Sequence, residues 1–247
     1  MRDTDRDWTK IAGVDPYWGI LSSEEFRGET LSEELKAKFY ASGVEYVTAL
    51  YTDIRTYIPS FAPKRSLDFG CGVGRLLFPL AALCEEAVGV DIAPKMLDLA
   101  KLHAAEHQIG NVTFALGDDE LSGVAGQFDF VHSFIVLQHI PPERGMPLLR
   151  KLLRLLAPGG VFALQLTFAK KRNLLMHEAP VASYYRRVGG VMHDLGALGG
   201  PAEGTVSMYD YDLNDIFALL SEFTGRPVAA RPIPDDHLSL FMVGSIG

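Results

Sequence analysis

Cysteine is scarce. Of 247 residues only Cys71 and Cys84 carry a thiol, too few for a disulfide framework and, with no cysteine pair nearby, no zinc knuckle. Their scarcity suits a reducing compartment, and a cytoplasmic protein is expected. Long apolar runs are also missing: none reaches the roughly 18 to 20 residues that span a bilayer, and Met1 to Lys10 is charged, without the apolar core of a signal peptide. Positive charge is in deficit, with 23 Lys and Arg against 31 Asp and Glu and a net charge of -8. No general attraction to nucleic acid or to an anionic membrane is therefore expected. The Gly-Lys-Ser or Gly-Lys-Thr ending of a triphosphate-binding loop does not occur. His177, Glu178, His193 and Asp194 are too dispersed to hold an ion, and no metal centre is expected.

What is present is an ordinary globular composition, 48% hydrophobic and 22% charged, in a length that fits one large domain or a core with an appendage. Residues 1–30 are polar and broken by glycine and proline, yet they hold Trp8, Tyr17, Trp18 and Phe26, so this arm is expected to pack on something. From Leu31 to Ile58, Leu35, Phe39, Val44, Val47, Leu50, Ile54 and Ile58 recur at helical intervals. Gly43 interrupts them, which predicts one bent helix or two short ones. A helical cap over residues 1–60 precedes the main domain at 61–247.

The rhythm then changes. Short apolar runs at 66–69, 87–90, 112–116, 128–134 and 161–168 alternate with helical stretches near 75–83, 94–107 and 143–156. Strand and helix in alternation predict an α/β fold, an open parallel sheet with helices on both faces. Asn111-Val112-Thr113, formally a glycosylation triplet, is read as the start of a strand. Residues 169–208 lose the pattern, and part of this insertion is expected to be helical and to lie over a site as a lid. Asp212 is expected to cap a helix, and two last strands, joined by the turn-like Pro234-Asp235-Asp236, predict an antiparallel hairpin and hence a mixed sheet.

Leu67-Asp68-Phe69-Gly70-Cys71-Gly72-Val73-Gly74-Arg75 places three glycines at alternate positions between a strand and a helix. Such a turn lets a ligand reach the backbone and the N–H groups at the following helix start; read alone, it has a tight turn with no ligand as its lesser alternative. Asp91, about 20 residues on at the end of the second strand, is where a carboxylate accepts both hydroxyls of a ribose, although it could also cap the helix at Pro94. Asp68 would set negative charge against a pyrophosphate and favours a cationic ligand.

Together with Val90-Asp91, Gly117-Asp118-Asp119, Phe128-Asp129-Phe130-Val131 and Leu156-Ala157-Pro158-Gly159-Gly160, this turn resembles the class I S-adenosylmethionine-dependent methyltransferase family over about residues 60–247. The resemblance implies a Rossmann-like seven-stranded mixed sheet with a final antiparallel hairpin. It implies S-adenosyl-L-methionine as cofactor and methyl transfer as the reaction. On the matching positions, Asp68 resembles the carboxylate near the methionine amino group, and Gly70, Gly72 and Gly74 the backbone cradle. Arg75 closes the turn and is counted with the cofactor contacts. Asp91 resembles the ribose ligand, Ile92 and Met96 would flank the adenine, and Asp118 or Asp119 would bond its amino group. Cys71 is read as a small turn residue.

Ser133 and Phe134 end the fourth strand on the side expected to hold the cofactor, and His139 follows shortly as a candidate proton acceptor near neutral pH. The alternative for His139 is a hydrogen bond to a neighbouring loop; His132, inside the strand, is read as structural. Tyr17, Trp18, Phe39 and Tyr40, with Tyr184, Tyr185, Arg186 and Arg187, would make two covers over a small enclosed site, or else ordinary packing. Arg150, Lys151 and Arg154 read as a solvated helix edge. The expected partner is a small-molecule methyl acceptor, with no nucleic acid and no membrane, and the expected state a monomer or homodimer. The competing readings are a protein or RNA methyltransferase and a nonenzymatic cofactor-binding protein.

Overall fold

The computed structural model describes residues 3–170, 182–188, 191–194, 206–233 and 237–247. The N-terminal arm is helical and packed. Helices α1 (Asp3–Val14) and α2 (Pro16–Ile20) lead through a short 3-10 turn to α3 (Glu33–Tyr57). Pro16 opens α2 at its first turn, where the missing N–H costs nothing. The Ser32 hydroxyl caps α3 by accepting from the Leu35 N–H at 3.3 Å. Ala12, Tyr17, Phe26, Leu31 and Phe39 are buried together with Val73, Ala93 and Met96. Phe39 is the hub, with edge-on rings of Tyr17, Phe26 and Tyr40 at 5.2, 5.4 and 5.3 Å. Burying one such ring stabilises by about 2 to 3 kcal/mol.

Gly43 does not break α3. The helix runs unbroken through it, and a Cβ there would collide with the Arg75 carbonyl. The expected interruption is thus corrected to a contact: glycine lets the helix backbone touch the glycine-rich turn.

The main sheet has seven strands in the order β3-β2-β1-β4-β5-β10-β9, built from β1 (Arg65–Phe69), β2 (Glu86–Asp91), β3 (Val112–Leu116), β4 (Phe128–Ser133), β5 (Leu156–Lys170), β9 (Ala229–Ile233) and β10 (His237–Ser245). Strands β1, β2 and β3 pair in parallel, while β10 runs antiparallel to both β5 and β9. This is the expected mixed sheet with a closing antiparallel pair, whose connecting residues 234–236 lie outside the described residues. The helices α4 (Leu77–Ala81), α5 (Pro94–Glu106), α6 (Pro142–Arg154) and α7 (Leu213–Ser221) complete the alternation. Asp212 caps α7 through the Asn214 N–H at 2.8 Å, as expected.

Two local expectations are corrected. The helix read from Arg75 shrinks to Leu77–Ala81, because residues 72–76 are turns. The helix read to residue 156 ends at Arg154, and Leu156 already begins β5. The described parts of the 169–208 insertion are strands: β6 (Ala182–Val188) pairs antiparallel with β7 (Val191–Asp194) and parallel with β8 (Val206–Asp210) in a second sheet. Residues 171–181, 189–190 and 195–205 lie outside the described residues, as do the side chains of Tyr184, Tyr185, Arg186 and Arg187.

Chain packing divides the protein into two compact units, Met1–Phe130 and Val131–Gly247. In the first, polar side chains anchor the strand ends. Asp129 accepts from the Lys64 and Arg65 N–H groups at 2.9 and 2.8 Å. Asn111 donates its amide to the carbonyls of Ala81 and Cys84, so the residue of the formal glycosylation triplet is a clamp at the foot of β3. Among the described residues no helix is long and apolar enough to cross a membrane.

Candidate functional site

In the first unit the ends of β1 and β2 meet at the glycine-rich turn. Gly70, Gly72 and Gly74 have φ of 79°, 55° and 89°, left-handed backbone that side chains with a Cβ resist. Gly70 and Cys71 both donate to the Val90 carbonyl, at 2.7 and 2.9 Å, which ties the turn to β2. Cys71 is buried, and burial pushes its thiol well above the usual range, so it stays a neutral packing group.

Asp91 closes β2 at the lip of this turn. One carboxylate oxygen accepts from the Gly72 N–H at 2.9 Å and the other from the Ala93 N–H at 2.9 Å. Asp91 thus bonds the backbone leading into α5 and sets a carboxylate beside the turn. Burial pushes its pKa up to about 6, against the pull of these two N–H groups.

Asp68 and Arg75 are both buried, and Asp68 supports the charged form of the guanidinium that burial disfavours. Arg75 Nη1 donates to Ser42 Oγ at 3.4 Å, and its Nε is buried with no hydrogen-bond partner among the described residues. A buried guanidinium N–H left unpaired is costly, so it marks a position that a ligand anion can satisfy.

The arm closes on this turn. A Cβ at Gly72 would meet the Ile20 side chain, and the Tyr40 hydroxyl donates to the Val73 carbonyl at 3.1 Å. Met96 is fully buried among arm residues, while Ile92 beside Asp91 is half-buried. At the end of β3 Asp118 is exposed and bends its own loop, one oxygen accepting from the N–H groups of Glu120 and Ser122 at 2.8 and 3.0 Å. These bonds hold its carboxyl below the usual range. Asp119 beside it is half-buried.

The second unit holds Ser133 and His139, both buried. His139 Nδ1 lies 3.3 Å from the Ser207 carbonyl, which fixes a proton on Nδ1 and leaves Nε2 as the acceptor, facing the Gln138 amide at 3.3 Å. Gln138 in turn accepts from Gln165, whose own oxygen accepts from the Ile135 N–H at 2.9 Å. Sequence reasoning missed Ile135. It holds φ of 58°, strained for a β-branched residue, is 40% exposed, and follows the strand end by two residues. Nothing local marks it, because the Gln165 that pins it is 30 residues away.

Residues 67–160 match the family described as a methyltransferase domain. Over 101 residues the chain is 32% identical to the ubiquinone biosynthesis O-methyltransferase of Acinetobacter baylyi, covering 40% of this chain and 42% of that one. Over 111 residues it is 34% identical to the trans-aconitate 2-methyltransferase of Methylobacterium radiotolerans, covering 44% and 40%. The chain thus spans about two fifths of the length of these curated relatives. In structure the chain is similar to magnesium protoporphyrin IX methyltransferase from Synechocystis, with a TM-score of 0.61 and 20% identity over 100% of this chain and 99% of that one. It is also similar to the N-methyltransferase NodS from Bradyrhizobium japonicum, with a TM-score of 0.60 and 14% identity over 99% of each. At these identities the structural likeness is one of fold.

Proposed function

We propose that the protein transfers a methyl group from S-adenosylmethionine to an O, N or C atom of a small molecule. The observation that carries this reading is the left-handed turn of Gly70, Gly72 and Gly74 with its Gly72 N–H bonded to the Asp91 carboxylate. The donor set suits the cofactor: Asp91 offers remaining lone pairs to two ribose hydroxyls, and the unpaired Arg75 Nε and its charge suit the methionine carboxylate. Asp68 would balance the ammonium, Cys71 and the three glycines would lie along the methionine and ribose, and Ile92 and Met96 would flank the adenine. Asp118, exposed beyond the end of β3, or its neighbour Asp119 would accept from the adenine amino group. Ser133 would complete the contacts. When bound, S-adenosylmethionine supplies an electrophilic methyl group on a sulfonium.

The chain's own task is then to align an acceptor and exclude water. Residues 1–60 serve as a cap, which the contacts of Ile20 and Tyr40 on the turn support. A net charge of -8 favours a small molecule over RNA. Calorimetry with S-adenosylmethionine and with NAD tests the cofactor. Saturable binding of the sulfonium compound alone is expected, and its absence removes the reading.

His139 is proposed as the proton acceptor, through Nε2, for an acceptor that must lose a proton. Its replacement, His139→Gln, is expected to lower turnover at least about tenfold, within the usual range of general-base effects, while the dissociation constant for S-adenosylhomocysteine stays within about twofold. The readout is S-adenosylhomocysteine release with phenolic, carboxylate and amine acceptors. Unchanged turnover with an acceptor that the wild type methylates leaves His139 as a loop-holding residue.

A further inference from the structure

The last turn of α5 and the residue that follows it carry His103, Glu106 and His107, spaced to share one helix face. One ligand atom from each lies within 4.8 Å of the other two. The three residues differ in freedom. The His103 ring is half-buried and stacked on Tyr40 at 3.7 Å and on Phe78 at 4.9 Å, both at 24°. Glu106 and His107 are exposed, and the His107 ring sits 4.1 Å from that of His103. One imidazole is thus fixed by packing on two sides, and two exposed side chains can rotate toward it.

We propose that His103, Glu106 and His107 form a binding site for one divalent late first-row ion of the Zn2+ or Ni2+ kind, completed by water. Two imidazoles and a carboxylate make the mixed nitrogen and oxygen set that such ions prefer, and imidazole discriminates against Mg2+ and Ca2+. The C-terminal end of α5 adds the negative end of the helix dipole, which favours a cation there. Ligand atoms around a tetrahedral ion stand about 3.3 Å apart given metal–ligand bonds near 2 Å. Contraction from the present spacing needs only side-chain rotation at Glu106 and His107. Lys36 and Glu33 of α3 face this cluster, and Lys36 Nζ is paired to Glu33 at 2.9 Å. This cluster shares no residue with His177, Glu178, His193 and Asp194, whose positions in sequence are too dispersed for an ion.

The site lies next to the cap, since the same Tyr40 that stacks on His103 donates to the Val73 carbonyl of the glycine-rich turn. Calorimetry on the full chain, freed of metal by a chelator, tests the site with Zn2+ and separately with Mg2+. Expected are one Zn2+ per chain with a dissociation constant on the order of micromolar, at least about a tenfold loss in His107→Gln and in Glu106→Gln together with His107→Gln, and no saturable Mg2+ binding. Zn2+ is expected to raise the melting temperature of the wild type and not of His107→Gln, whose metal-free melting temperature should match the wild type because the side chain is exposed. Equal Zn2+ affinity in wild type and His107→Gln, retained stoichiometry in the double variant, or Mg2+ binding as tight as Zn2+ would each overturn the proposal.

Discussion

Asp91→Asn is expected to weaken S-adenosylhomocysteine binding at neutral pH by about a hundredfold, with no matching loss of fold stability. The carboxylate spends one lone pair of each oxygen on the Gly72 and Ala93 N–H groups. It is thereby held in place with acceptor capacity left on both oxygens. Asparagine keeps a single acceptor oxygen and turns an NH2 group toward one of those N–H donors. Losing two hydrogen bonds to a charged acceptor, at about 1.5 to 3 kcal/mol each, amounts to about 3 kcal/mol or more, and so to about two decades in affinity. Calorimetry at matched temperature checks it; an affinity within threefold of wild type would move the ribose contact elsewhere.

The same residue sets a pH dependence. Its folded pKa is raised from 3.8 to about 6 by burial, so protonation favours the free protein and ionisation costs it. Stability from this group falls as pH rises from about 4 to about 6, by about 3 kcal/mol in all, and is level above that. A bound ribose donates hydroxyls to the ionised form and pulls the pKa down again, so affinity should fall as pH drops below about 6 and be level above it. In Asp91→Asn the dependence should vanish in that window. Because the variant also loses the ionisation cost, its ligand-free melting temperature at pH 7.5 should equal or exceed that of the wild type, which separates a lost contact from a damaged fold.

Much of this site is legible in sequence because its demands are local. Gly70, Gly72 and Gly74 stand where the backbone is left-handed, and Asp91 follows at the end of the adjacent parallel strand, so spacing alone carries the pattern. What was not legible depends on partners far along the chain. Asp129 reads as a motif member, but its oxygen holds the Arg65 N–H 64 residues away. Gly43 reads as a helix breaker, since propensity penalises glycine, whereas packing against Arg75 overrides that preference. The insertion at 169–208 has neither helical nor alternating rhythm, and its strands owe their order to pairing, β6 with β8 across some twenty residues. His139 reads as a base or as a loop anchor; its bonds to Ser207 and Gln138 meet the second description, and turnover is the measure of the first.

Gly43→Ala should destabilise the protein by about 2 to 3 kcal/mol, the typical cost of forcing extra atoms into a packed contact. Two effects oppose each other. Alanine in a helix interior is favoured over glycine by up to about 1 kcal/mol, but the added methyl would collide with the Arg75 carbonyl. That obstacle is backbone, and no side-chain rotation relieves it. Either α3 withdraws and opens the packing around the buried Phe39, or the turn shifts and takes Arg75 with it. The net loss corresponds to about 4 to 12 °C in melting temperature for a chain of this size. The same shift should loosen S-adenosylhomocysteine binding by at least about fivefold, as expected when a preorganised contact moves by a fraction of an ångström. Gly13→Ala is the matched control, since a Cβ there meets nothing within 4 Å and α1 should gain up to about 1 kcal/mol from it. If Gly43→Ala behaves like Gly13→Ala, α3 does not bear on the turn and the cap is not coupled to the cofactor site; a loss of both stability and affinity at Gly43 alone ties the helical arm to the backbone that would hold the cofactor.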